Sequence, residues 1–366
     1  MGAELSLLVP TAQTIAVSAY IDSLKDVQYT VPLGTSRFLK TVKCVDKSGS
    51  IVVKVLIKPG PSTSNNNGSN EDGFKLEYWV TKLDKLRQGL ISIPNVLPFE
   101  SIIDSQRAGY LIRPYVRYNL YDRVSVRPFL EPIEKKWIVY QLLSSMAKLH
   151  AKGIYHGDLK TENVLLTSWN WCLISDFAIF KPVFLPEGNP SLFSFYFDSS
   201  QRHVCYVAPE RFVASDDAEV EELNKANGEL NWQMDIFSLG CVIAELYLES
   251  LPIFTLPQMF KFKRGEYYPN LDAIDDLNIS KMIQSMISLK ADDRLTAKEY
   301  LTRYRKTIFP DYFYTFLHTY MNNISGSITE SESVNQFTCF NDTNEVRHAW
   351  NGRPYAKINF SSILTK

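Results

Sequence analysis

Apolar and polar residues alternate from residue 27 to 58, the period-two pattern of half-buried strands. Two β-branched runs, Ile51-Val52-Val53 and Val55-Leu56-Ile57, flank Lys54 there. The pattern stops at Pro59. From there to Gly73 the chain reads PGPSTSNNNGSNEDG, a polar low-complexity stretch without an apolar anchor that is expected to be a disordered loop. The period then lengthens: Leu76, Trp79, Val80, Leu83 and Leu86 recur every three or four residues, which predicts a helix from Phe74 to about Gln88. A short apolar strand, Tyr110-Leu111-Ile112, leads into Arg113-Pro114-Tyr115-Val116. Pro132 to Lys152 reads as a long amphipathic helix with Ile133, Trp137, Ile138, Leu142, Met146 and Leu149 on one face and Gly153 ending it. An apolar run after Asn163 predicts a short buried hairpin, and Asp216 to Gly228 reads as an acidic, surface-like insertion. A helix opening at Asp235 buries Ile236, Leu239, Ile243 and Leu246, and residues 277–305 supply further helices. From Ser325 to Glu345 Ser, Thr, Asn and Glu dominate and disorder is expected; the tail to Lys366 carries no readable pattern.

Composition narrows the classes. With 366 residues, 45% of them hydrophobic and 22% charged, the chain can bury a full-sized core, and a two-lobed domain of about 300 residues fits. A net charge of −1 gives no electrostatic reason to expect nucleic acid as a partner. The five cysteines are scattered without a C-x-x-C pair, which argues against a disulfide framework or a zinc site and suits a reducing compartment. No stretch approaches 18 apolar residues, and the first residues lack the basic and apolar regions of a secretory signal. Met1-Gly2-Ala3-Glu4-Leu5-Ser6 does fit the acceptor pattern for N-myristoylation at Gly2. One such chain binds membrane with K of roughly 10⁴ M⁻¹, so firm attachment needs a second contact.

The chemistry concentrates in one stretch, Tyr155 to Phe177, reading YHGDLKTENVLLTSWNWCLISDF. It holds His156, Gly157, Asp158, Lys160 and Asn163 in H-G-D-L-K-x-x-N, and then Asp176-Phe177-Ala178, 18 residues from one Asp to the other. Two carboxylates flanking a buried hairpin, with a Lys and an Asn beside the first, are the parts that phosphoryl transfer needs. One orients the attacking hydroxyl, and the other, with the Asn, holds magnesium against nucleotide phosphates. An isolated HxD or DF is uninformative; the ordered set is specific. Lys54 in V-V-K-V is then read as the phosphate-pairing lysine of a strand similar to V-A-I-K, 20 residues after Gly34. In Leu33-Gly34-Thr35-Ser36-Arg37-Phe38-Leu39, where a glycine-rich loop is due, Gly34 is kept while Ser36 and Leu39 stand at the second and third glycine positions. Side chains there hold backbone amides off the phosphates, so a weaker or different phosphate grip is expected.

Residues 27–305 thus resemble a eukaryotic protein kinase domain. The wording HGDLKTENVLLTSWNWCLISDFA, FKPVFLPEGNP and CYVAPERF resembles, more narrowly, the kinase-like regulatory subunits of class III phosphatidylinositol 3-kinase complexes in vacuolar sorting and autophagy. The opening MGAxLS, LYDR at Leu120–Arg123 and FPDYFYTF at Phe309–Phe316 extend the likeness to residues 1 to about 320, and it favours acylation of Gly2. The resemblance implies an α+β bilobal protein kinase fold: a segment 1–19 carrying the lipid, a β-rich N-lobe at about 20–113, a helical C-lobe at about 116–306, and a largely disordered extension at 307–366. It implies Asp158 as catalytic base, Lys160 on the transferred phosphate, Asn163 and Asp176 as magnesium ligands, and Lys54 on the α- and β-phosphates. Ile112 would guard the nucleotide pocket, with Arg113–Tyr115 as the hinge offering backbone to a base. Glu77 is the chosen acidic partner of Lys54; Asp84 is the alternative, nearer the usual distance but shorter. His156 would brace the loop, Asp235 would anchor its backbone, and Glu210 of Ala208-Pro209-Glu210 would pair with Arg294.

Three departures bear on activity. Gly157 replaces the arginine that usually receives a phosphorylated activation-loop residue, so switching by loop phosphorylation is not expected. Ala178 replaces a glycine and restricts the backbone. His203-Val204-Cys205 lacks the threonine expected three residues before Tyr206, which puts substrate docking in doubt. The expected function is a membrane-tethered, weak serine/threonine kinase that uses ATP or GTP with magnesium. Its expected partners are a phosphatidylinositol 3-kinase catalytic subunit and vacuolar sorting and autophagy subunits, at the cytoplasmic face of endosome, Golgi or vacuolar membranes. The rival is a nucleotide-binding pseudokinase scaffold. A small-molecule kinase fits the APE motif and long activation segment less well. Relatives of this kind usually continue into helical repeats and a β-propeller, so a fragment, a truncated gene model or a diverged short form is expected.

Overall fold

The computed structural model describes residues 16–35, 39–57, 76–178, 180–198, 202–320 and 322. The period-two region folds into β1 (Gln28–Thr35), β2 (Lys40–Asp46) and β3 (Gly49–Ile57), preceded by a short helix α1 (Ser18–Ile21). Helix α2 (Leu76–Leu90), β4 (Val96–Leu97), β5 (Ser101–Asp104) and β6 (Ala108–Pro114) follow. Five strands form one antiparallel sheet in the order β1-β2-β3-β6-β5.

Register in this sheet decides what reaches the site. Val53 stands opposite Ile112 and Val55 opposite Tyr110, and these four join Tyr20, Ile21 and Leu24 in a small core on one face. Tyr110 Oη donates to Tyr20 O at 2.9 Å, which ties α1 to that face. Opposed residues share a face, so Lys54 with Leu111, and Val52 with Arg113, look the other way.

The second lobe begins with β7 (Tyr118–Asn119), α3 (Leu120–Ser125) and α4 (Pro132–Ala151). A capping box between Glu131 and Glu134 starts α4, and its stripe from Trp137 to Leu149 is fully buried. The predicted hairpin is β8 (Val164–Leu166) and β9 (Cys172–Ser175), in a sheet ordered β4-β9-β8-β7. Beyond it come β10 (Leu185–Pro186), α5 (Pro190–Tyr196), β11 (Phe212–Val213), α6 (Asp217–Asn227) and α7 (Trp232–Tyr247). Helices α8 (Leu256–Lys263), α9 (Leu277–Met286) and α10 (Ala297–Arg303) complete the lobe.

The acidic surface stretch takes a helical form, and one boundary differs from expectation. The acidic stretch 216–228 is helix α6, and Asn224 fastens it by accepting from the Val183 and Phe184 amides at 2.9 and 2.8 Å. The packed lobe also runs past residue 306: Phe309, Phe313 and Leu317 are buried, and Phe313 meets Trp137 edge-on at 5.1 Å. Residues 59–73, Gly2 and the tail 325–366 lie outside the described residues. No helix among the described residues is long and apolar enough to cross a membrane.

Candidate active site

The loop carrying Asp158 hangs from a buried carboxylate. Asp235, on the first turn of α7, accepts the His156 amide at 2.7 Å and the Gly157 amide at 2.9 Å, and its Oδ2 lies 3.2 Å from His150 Nε2. The His156 ring accepts the Asp158 amide on Nδ1 at 3.2 Å, so its Nε2 carries the proton and donates to Ser175 O at 2.9 Å. Burial pushes this imidazole below its ordinary pKa, toward the neutral form. A neutral ring held between two backbone groups is suited to bracing the loop.

Gly157 has φ +74, and a Cβ there would lie 2.5 Å from Leu230 Cδ1. The arginine usual at this place would be strained by that backbone and would have to displace the Leu230 methyls. Arg211, directly after Glu210, reaches the same loop. It donates to Gly157 O at 2.6 Å, Val183 O at 2.7 Å and Pro182 O at 3.0 Å, and stacks on Phe197 at 5.0 Å. The segment after Asp176 is therefore latched to the catalytic loop by an internal guanidinium. Farther out, Arg294 clasps Glu210 through both nitrogens, at 2.6 and 3.0 Å.

Lys54, Gly34, Arg113, Tyr115, Asp158, Lys160, Asn163 and Asp176 line one cleft of about 730 Å³ between the lobes. Ile112 is not among them. It faces the core on the far side of the sheet, and Arg113 takes the guarding place assigned to it. Arg113 is buried and aims its side chain at Asp176, so its part in the cleft is played by the guanidinium as well as by backbone. The Tyr115 amide donates to Ser50 O at 3.1 Å and is committed to the sheet edge. Asp84 is exposed on α2, which removes it as a partner of buried Lys54, and the Glu77 side chain lies outside the described residues.

Both reacting carboxylates carry cations from the chain itself. Asp176, turned into the cleft by a left-handed φ of 65, takes Lys54 Nζ at 2.9 Å on Oδ2. Arg113 donates to it through Nε and Nη2, each at 3.3 Å. Burial alone would raise this carboxyl, but Arg113 and Lys54 outweigh it and hold the group well below the usual range. Asp158 takes Lys181 Nζ on Oδ2 at 2.6 Å, with Lys160 Nζ at 3.7 Å and Asn163 Nδ2 at 3.3 Å. Burial again opposes and the two lysines prevail, so Asp158 stays ionised. Lys181 itself is pulled down to about 8 by burial, with Asp158 working against that fall.

Sequence reasoning missed Lys181, Arg211 and the network that stands where the threonine was sought. Tyr206 Oη lies 2.9 Å from Thr161 Oγ1 on the catalytic loop and bonds Glu245. Glu245 in turn takes Arg202, which also reaches Glu162 at 3.0 Å and lies over the Tyr121 ring at 3.7 Å. The tyrosine thus makes the tie to the catalytic loop. None of these contacts has a local spacing that could announce it.

Asn163 donates to Asp158 O at 2.7 Å through Nδ2, and its amide oxygen, like the Asp176 carboxylate, is an oxygen ligand. Oxygen donors of this kind suit magnesium. Their charge environment does not, because both Asp176 oxygens already face cations.

Residues 30–304 match the family model of the protein kinase domain. The chain is 54% identical over 326 residues to a putative serine/threonine-protein kinase VPS15 of Komagataella pastoris, covering 89% of this chain and 23% of that one. It is 44% identical over 350 residues to the serine/threonine-protein kinase VPS15 of Saccharomyces cerevisiae, covering 94% of this chain and 23% of that one. The Arabidopsis thaliana VPS15 kinase is 43% identical over 307 residues, 82% of this chain and 19% of that one. The chain therefore spans about a quarter or less of the length of these relatives. Among solved structures, Rad53 residues 1–466 in complex with AMP-PNP superimposes with TM-score 0.54 at 19% identity, covering 76% of this chain and 64% of that one, which supports the fold.

Proposed function

The chain belongs to the protein kinase family, similar to the kinase region of the VPS15 proteins, and we propose that it is a slow serine/threonine protein kinase and a regulatory partner of a phosphatidylinositol 3-kinase. The observation that carries the kinase reading is the convergence of Lys54, Asp158, Lys160, Asn163 and Asp176 on one cleft between the lobes. The nucleotide lies along that cleft, with Lys54 on its α- and β-phosphates. A substrate hydroxyl takes the place of Lys181 Nζ at Asp158 Oδ2 and gives its proton to that carboxylate as its oxygen bonds the γ-phosphorus. The bond to the β-phosphate oxygen breaks, and Lys160 steadies the group in transit. Asn163 and Asp176 are the residues that would hold magnesium, which would supply charge against the phosphates, but Lys54 and Arg113 already occupy the Asp176 oxygens.

The pairing of both carboxylates supports the reading of slow transfer. Breaking a buried ion pair costs about 3–5 kcal/mol. Even if substrate contacts recover part of this, a residual of about 3 kcal/mol slows transfer roughly a hundredfold. The same observation favours a second reading, a scaffold that binds nucleotide and transfers nothing. Purified protein given γ-labelled ATP or GTP, beside Asp158→Asn, separates the two. Labelled protein that disappears in the variant is the expected result; saturable nucleotide binding without label in either protein leaves the scaffold.

The lipid-kinase partnership, the role in vacuolar sorting and autophagy, and the peripheral place at endosome, Golgi or vacuolar membranes rest on the resemblance to VPS15 proteins and on the acceptor pattern at Gly2. Mass spectrometry of protein made in a eukaryotic host is expected to find Gly2 acylated, and a free amine throughout removes the anchor. Co-purification with a phosphatidylinositol 3-kinase catalytic subunit tests the partnership.

A further inference from the structure

Arg113 occupies an unusual place for a guanidinium, buried at the inner end of a nucleotide cleft. It is fixed there by the sheet. Its backbone pairs with Val52, and its three guanidinium nitrogens are all engaged: Nη1 on Pro114 O at 3.2 Å, and Nε and Nη2 on the two oxygens of Asp176. Lys54 shares Oδ2 of the same carboxylate. A magnesium ion at Asp176 needs one of those oxygens at about 2.0–2.1 Å. It would then stand within a few ångströms of two fixed cations in a largely buried site, where like charges repel more strongly than in water.

The inner cleft supplies positive charge without such an ion. Among the described residues Lys54, Arg113, Lys160 and Lys181 face it against the carboxylates of Asp158 and Asp176, so four cations meet two anions there. At the outer end Arg117, Arg202, Asp122 and Glu162 balance one another in number. The excess lies where the polyphosphate has to be.

The geometry points to Arg113 as the standing substitute for the divalent cation at Asp176: this cleft binds a nucleoside polyphosphate with little dependence on metal. The inference rests on the nucleotide-binding reading above and adds that the chain's own guanidinium, with Lys54, neutralises the phosphates. It also offers an answer to the missing loop glycines. Grip lost from backbone amides is supplied by side-chain cations from β6 and from the segment after Asp176.

Isothermal titration of the full chain with AMP-PNP and with GMP-PNP, in magnesium and in EDTA, tests this directly. The wild type is expected to bind the better analogue with affinities that agree within about tenfold in the two buffers, a difference of 1.4 kcal/mol. Arg113→Met is expected to lose more than about tenfold in EDTA while its binding in magnesium holds or improves. Arg113→Lys, which keeps a cation but not the fork, guards against misfolding of the first variant and should fall between the two. Wild-type binding that collapses in EDTA overturns the inference and leaves the nucleotide site standing. Unchanged metal-free binding in a folded Arg113→Met also overturns it. Absence of binding in every buffer removes the nucleotide reading and this inference together.

Discussion

Two regions a few residues apart satisfy their charges in opposite ways. The frame behind the catalytic loop is closed: Asp235 on two amides and His150, His156 between two backbone groups, Arg211 on three carbonyls, Glu210 on Arg294. The partners there are backbone groups and side chains of the frame itself, with His150 Nδ1 the one buried atom of this set left without a partner among the described residues. The reacting pair in front of it is satisfied only provisionally. Lys181 on Asp158, and Lys54 with Arg113 on Asp176, sit where a hydroxyl and a metal or phosphate have to go. The frame is that of the protein kinase fold, while the front is held by the protein's own cations. Stability should therefore follow the frame and activity the front.

The sharpest way to break this division is at Asp235. Asp235→Ala strands two buried amides and His150, and is expected to cost about 3–5 kcal/mol in urea unfolding. A loss below about 1 kcal/mol would mean that the loop is held by something else. Next comes Gly157→Ala, which forces a side chain to φ +74 against Leu230. A left-handed L-residue costs about 1–2 kcal/mol, and the same urea titration reads it; Gly157→Arg should do no better, despite restoring the usual motif.

The smallest expected effect is the pH response of the front. Lys181 has its pKa drawn down to about 8, so it is charged at pH 7 and largely neutral by pH 9. Asp158, held low, remains ionised throughout. Transfer by the wild type should rise over that interval as the pair loosens, and the rise should be absent in Lys181→Met. Equal pH profiles for the two proteins would separate Lys181 from the rate.

What could be read from the sequence follows the range of each contact. Asp158, Lys160, Asn163 and Asp176 lie on one loop and hairpin, and the lobes follow periods of two and three to four residues, so spacing alone places them. Glu210 and Arg294 were reachable because each sits in its own short motif. Strand β6 was not. All seven of its residues are buried, so no alternation marks which face is which. A one-residue difference in register exchanges the two faces, which is how Ile112 and Arg113 traded places. Lys181 and Arg211 act on residues 23 and 54 positions away, across turns that no local pattern encodes. The role of Gly157 became readable only from its left-handed backbone, with the Leu230 methyls beside it.

The most direct test of a catalytic front held by its own cations is a two-by-two measurement of γ-phosphate transfer, using wild type, Lys181→Met, Asp158→Asn and the double variant. Removing the lysine is expected to raise turnover by about tenfold or more, removing the carboxylate to abolish it, and the double variant to match the latter. A Lys181→Met protein that is folded, binds nucleotide and transfers no faster than wild type would contradict the account.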